Sequence, residues 1–155
     1  MSDREPLFIA WHSEQSGRSA EICEEIDSVW LYLSDPGAKK VSVSSWLLNT
    51  LEAPAEPMQE PYRSQSVPPP APAAFVESGG VLPVPDASRW NVLWGARGEA
   101  VAALLDGRPI GMVRVGQARG FARFIRAGAA PWALPWNEPA FAGVFYGHDS
   151  NGWRA

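Results

Sequence analysis

The chain is poor in the residues that build disulfides, metal cages and lysine-based sites. It has one cysteine, Cys23, two histidines, His12 and His148, and two lysines against eleven arginines. A lone cysteine excludes an internal disulfide and any cysteine-based zinc cage, and it fits a reducing compartment. Neither imidazole has a partner at ligand spacing, so no metal and no cofactor is expected. Glycine signatures are missing too. The stretch Gly107–Gly116 lacks the Lys-Ser/Thr ending of a phosphate loop, and neither G-x-G-x-x-G nor G-x-S-x-G occurs. No apolar run approaches the roughly 20 residues of a membrane helix, and the start MSDREPLFIAWH lacks a signal-peptide core. The expectation is a cytoplasmic protein without a membrane partner.

What is present suits one globular domain over residues 1–155. The 155 residues are 46% hydrophobic and 19% charged, and a chain of that length buries roughly 68–70% of its unfolded surface. Charge is unevenly placed: residues 1–66 carry eleven acids against five bases, and the remainder six acids against eight arginines. A net charge of −4 gives no field to gather phosphate backbones, so duplex nucleic acid is not an expected partner. A basic protein is.

Nine prolines fall between Pro54 and Pro85. Proline lacks the donor that helices and sheets need, so residues 54–85 are expected to be an extended, irregular connection. Neither flank, at about 50 to 70 residues, builds a large core alone, which makes the segment a strap within one domain rather than a linker. Pro69–Pro72 satisfies P-x-x-P but has no flanking bases, and is read as strap. The tail over 147–155 is expected to be frayed and flexible.

The flanks read as strands. Leu7–Trp11 is a short apolar run, and Ala20, Ile22, Glu24 and Ile26 follow period two. Val29, Leu31 and Leu33 alternate with Trp30, Tyr32 and Ser34 before the turn residues Asp35-Pro36-Gly37, and Val41, Val43 and Ser45 alternate after them. Both faces of the first strand of this hairpin are apolar, as in a central strand covered on two sides. A helical alternative linking Ile22, Ile26, Val29, Trp30 and Leu33 ranks second, because β-branched and aromatic residues dominate. Trp90–Trp94, Ala100–Leu105 and Ile110–Val115, with Asp106-Gly107 between the last two, read as a three-stranded meander. Beyond Gly116, Phe121, Phe124 and Ile125 on one side and Arg119, Arg123 and Arg126 on the other predict a short amphipathic helix. Asn137 and Pro139 predict a second helix over Pro139–Phe145. The fold class is therefore α+β: a mostly antiparallel sheet, short C-terminal helices and a proline-rich surface strap.

Candidate chemistry is sparse. His148-Asp149 has the form of a base and its orienter but lies in the tail, and His12 would have to face Cys23 across neighbouring strands to activate it. The acids around Cys23 raise a thiol pKa rather than lower it. Arg119, Arg123 and Arg126, with Arg114, form a weak candidate for an anion site. Glu21, Glu24, Glu25 and Asp27, extended by Glu14, read as a uniformly exposed group, either guarding a strand edge or seating a basic partner. Trp30, Trp46, Trp90 and Trp94 are expected in the core, and Trp11, Trp132 and Trp136 partly exposed as interface anchors. Arginine-over-lysine bias and abundant alanine resemble a GC-rich bacterial gene. Together these point to a non-enzymatic, bacterial immunity- or inhibitor-type protein that neutralises a basic toxin or enzyme through an acidic, tryptophan-bearing face. A small enzyme with a scattered active site and a structural or adaptor subunit are the alternatives. Oligomeric state is left open.

Overall fold

The computed structural model describes residues 4–37, 40–51, 53–54, 62–129 and 131–146. Four strands, β1 (Phe8–His12), β2 (Ser19–Glu24), β3 (Ser28–Ser34) and β4 (Val41–Asn49), pair in chain order as an antiparallel meander. Five more, β5 (Trp90–Gly95), β6 (Ala100–Leu105), β7 (Arg108–Arg114), β8 (Phe121–Ala122) and β9 (Leu134–Pro135), make a second sheet that is antiparallel except for the β8–β9 pair. One helix, α1 (Glu138–Phe145), closes the described chain. This is a small α+β domain. The local turns explain its antiparallel bias: Asp106 and Gly107 both take positive φ, 53° and 82°, the turn chemistry that joins β6 to β7 without a crossover.

The two sheets bury one another. Val29, Leu31, Leu33, Val43, Leu47 and Leu48 of the first meet Val101, Ala103, Leu105, Ile110 and Val113 of the second. Each sheet carries a bulge at this contact. The β3–β4 register shifts between Val29 and Trp30, and the β6–β7 register between Ala103 and Leu104. The shifts leave Leu47 and Ile110 as extra residues turned inward beside their neighbours. Leu47 occupies the space a side chain at residue 111 would need, since a Cβ on Gly111 would lie 2.3 Å from Leu47 Cδ2.

A further layer covers each outer face. On the five-stranded sheet, Phe141 and Phe145 of α1 pack on Ala100, Ala102 and Met112. Asn137 caps this helix by accepting from Ala140 N at 2.9 Å, with a proline in the first turn, as the sequence indicates. On the four-stranded sheet, Trp30 and Trp46 are covered by Ala71 and Val76 of the proline-rich segment and by Ile125, Ala129, Trp132 and Ala133. Asn49, fully buried, clamps the strap: its Oδ1 accepts from Trp46 Nε1 and Ala71 N, and its Nδ2 donates to Ala71 O, all at 2.8–2.9 Å.

Two expectations need correction here. No helix forms over 119–126; Phe121–Ala122 is strand β8. The apolar residues do not share one stripe: Phe121 packs towards α1, whereas Phe124 and Ile125 pack towards the strap. Backbone bonds from Gly120 N to Ser44 O and from Leu134 N to Gly120 O tie the segment to both sheets and override its helical spacing. Trp132 is not partly exposed. It is 5% accessible, with Nε1 donating to Pro69 O at 2.9 Å. Trp30, Trp46 and Trp90 are buried as expected, and Trp94 is partly buried against the inter-sheet core. The tail over 147–155, including the His148-Asp149 pair, lies outside the described residues. Among the described residues no helix is long and apolar enough to cross a membrane.

Candidate functional site

The outer face of the four-stranded sheet is covered only in part. Its β4 side lies under the strap and under Ala129, Trp132 and Ala133, while its β1 side is open. Strand alternation places Phe8, Ala10 and His12 of β1 on this open side, and all three are exposed. Phe8, at 59% accessible, is the most exposed large hydrophobic residue described. In β2, Glu21 and Cys23 share the face, paired opposite Ala10 and Phe8. Tyr32 of β3 lies beyond them, stacked on Trp30 at 6.3 Å between ring centroids.

The acids are neither uniformly exposed nor equivalent. All four are half-buried, and β2 is not an edge strand because β1 covers it. Three are held by long-range partners that local sequence does not show. Arg4 Nη1 and Nη2 fork onto Glu24 Oε1 and Oε2 at 2.7 and 3.1 Å, and Leu7 N donates to Glu24 Oε1 at 2.9 Å. Burial by itself would raise the Glu24 pKa; the Arg4 and Leu7 donors outweigh it and hold this carboxyl below its ordinary value. Tyr32 Oη donates to Glu25, and Tyr62 Oη donates to Asp27. Burial and its acceptor push the Tyr62 phenol up to about 12, and the same two causes raise that of Tyr32. Glu21 alone of the four has no hydrogen-bond or ion-pair partner among the described residues. It is the acid free to engage another molecule.

The surroundings of Cys23 disfavour its thiolate. Burial first, then the charges of Glu25 and Glu21, push its thiol up to about 11. The expected juxtaposition with His12 does not occur, since Cys23 pairs opposite Phe8 and His12 opposite Ser19, at the two ends of the hairpin. His12 Nδ1 instead lies 3.4 Å from Ser19 Oγ.

The arginines do not form one stripe, because the helix that would align them is absent. Arg123 Nε donates to Pro109 O at 2.7 Å, and its guanidinium sits 4.6 Å from the centroid of the Trp136 ring. Arg126 pairs with Glu77 at 3.3 Å and bonds Ala74 O. Arg119 Nε is buried without a partner among the described residues. Trp136 is spoken for as well, its Nε1 donating to Glu138 at 2.7 Å while its ring leans on Phe141. Trp11 is half-buried on the inner face of β1.

Of three clefts of about 270, 300 and 300 Å³, two lie away from this patch, between β7 and α1 and beside Asn49 and Val76, and the third, between Arg4–Phe8 and Val84–Ala87, reaches it only at Phe8. None of these three is lined by His12, Cys23 or Glu21. Among the described residues no group of three or more His, Cys, Asp or Glu is placed to hold a metal. Comparison with protein-family models, curated proteins and solved structures gives no match.

Sequence reasoning missed Phe8. The signal was the run Phe8-Ile9-Ala10-Trp11, in which a strand must turn alternate side chains to opposite faces, so that one apolar set is left outside.

Proposed function

We propose that the protein is a non-enzymatic binding module of the cytoplasm that seats a basic protein partner on the open, β1 side of its four-stranded sheet. The observation that supports this reading is the pairing of an exposed apolar anchor, Phe8, with an unpartnered carboxylate, Glu21, on one uncovered patch. Apolar area supplies affinity there, and the carboxylate supplies attraction and discrimination by sign. An immunity- or inhibitor-type protein that neutralises a basic bacterial toxin or enzyme would use such a patch, because it must capture its target quickly and reject the acidic proteins around it. The tryptophans play a smaller part than their number suggests. Of the three expected anchors, Trp132 and Trp136 are engaged internally, and Trp11 borders the patch from beneath.

The test is association kinetics with the partner captured and purified from the native host. Glu21→Arg should slow association about tenfold at low salt, with the loss fading as salt rises, and leave thermal stability nearly unchanged. An unchanged on-rate at low salt removes the acidic patch from the reading. Glu24 is not a suitable probe of this kind, since reversing it breaks the Arg4 and Leu7 contacts.

A further inference from the structure

Four strand edges bound the two sheets; β4 is closed by the chain itself, and β5 and β9 are protected in part. Along β4, Ser44 O accepts from Gly120 N, Trp46 N donates to Trp132 O, Asn49 N donates to Gly80 O, and Asn49 O accepts from Leu82 N. At β5, the outward Val92 N–H is taken by Asn91 Oδ1 at 2.9 Å. Strand β9 is two residues long and ends in Pro135. These are the usual protections of an edge: covering loops, local capture of donors, shortness and proline.

β1 has none of them. Its bonds to β2 run through Leu7 O and Ser13 N, which fixes Ile9 and Trp11 as the residues whose backbone faces β2. The N–H and C=O groups of Phe8, Ala10 and His12 therefore point outward, and no described residue bonds them. The strand is FIAWH, without lysine, acid, proline or bulge.

We infer that β1 accepts an extended segment of the partner protein as an added strand, and that this segment alternates basic and apolar residues. The inference rests on the binding reading above and specifies its mode. An added strand lies about 5 Å from β1, so a residue opposite Ala10 sits two strand spacings, about 10 Å, from Glu21. An arginine or lysine there reaches over the small Ala10 side chain and meets the Glu21 carboxylate along the sheet face. Residues on either side of it turn to the opposite face, where the half-buried Ile9 and Trp11 offer apolar contact. A second copy of this chain fits less well, because β1 paired with its own image sets Ala10 near Ala10, offers Glu21 no cation and adds a second set of acids to the same face.

The probe is a synthetic nine-residue peptide alternating arginine and valine, with a glutamate-for-arginine control, added to the full chain. Amide hydrogen exchange followed by NMR is the readout. The arginine peptide should slow exchange at Phe8, Ala10 and His12 at least tenfold, with little change at Ile9 and Trp11, which already bond β2. Ala10→Pro removes an outward donor at an edge that tolerates proline, and should weaken binding at least tenfold with the thermal midpoint retained. If that variant fails to fold, Ala10→Arg keeps every backbone donor, repels the peptide and should lose binding to a similar degree. Glu21→Gln should weaken binding several-fold while the amide protection persists at saturation.

Peptide binding without protection of those three amides, and unaffected by Ala10→Pro, overturns strand addition and leaves the acidic patch standing. Equal binding of the glutamate peptide with full protection overturns the basic partner and leaves the edge. Protection that appears without peptide and rises with protein concentration assigns the edge to a second copy, and no binding at millimolar peptide overturns the inference.

Discussion

The two sides of the four-stranded sheet's outer face are built from the same strands and treated in opposite ways. Under the strap, Trp30 and Trp46 are sealed, the buried Asn49 satisfies every polar atom it meets, and the β4 edge is stitched to loops. Towards β1 the face is open, with Phe8 in solvent and Glu21 unpaired. The comparison teaches that coverage, not composition, separates scaffold from surface here, since aromatic residues and polar groups occur on both sides.

The largest expected effect tests the sealed side. Trp46→Ala empties a fully buried site and should cost about 3–5 kcal/mol, a large share of a typical ~5–15 kcal/mol total; chemical denaturation measures it. A cost near zero would mean that the strap is not seated. Asn49→Ala comes next, because it removes the shared partner of Trp46 Nε1 and of both polar atoms of the Ala71 backbone, and should cost about 1–3 kcal/mol in all. The same measurement at Phe8 sharpens the contrast. Phe8→Ser should shift stability by no more than about 0.5 kcal/mol while weakening partner binding.

Glu24, at the end of β2 opposite Val29, offers a pH test. Its folded pKa is depressed, so its contribution is present above the ordinary carboxyl value of 4.5 and is lost as pH falls through the folded value. Glu24→Gln keeps an acceptor for Leu7 N and removes the charge facing Arg4. The variant should be less stable than wild type by about 0–1 kcal/mol near pH 7, and the gap should close below about pH 4.5. A gap that widens in acid would reverse the assigned sign.

Much of the architecture was legible because it is local. Asp35–Gly37 and Asp106-Gly107 announce antiparallel neighbours, alternation along Val29–Ser34 announces a strand covered on both faces, and nine prolines announce the strap. Residues 119–126 misled because helical spacing of Phe121, Phe124 and Ile125 is also what a chain passing between two cores produces, with each aromatic dropped into a different one. The site was legible only as a region. The acids between Glu21 and Asp27 were visible as a cluster, but their captors Arg4, Tyr32 and Tyr62 stand 20, 7 and 35 positions away. Nothing in the cluster itself says which carboxylate is left over.

The strap also constrains the order in which the molecule assembles. Each sheet is largely a meander of short-range pairings, which close at small entropic cost. The layer over Trp46, by contrast, needs Ala71, Ile125 and Trp132 to converge on a sheet finished at residue 49. Its contacts are expected to form last. Loosening the Asn49 clamp should therefore hasten unfolding while leaving the folding rate nearly untouched, so the proline-rich segment acts as a latch that governs how long the native state lasts rather than how quickly it is reached.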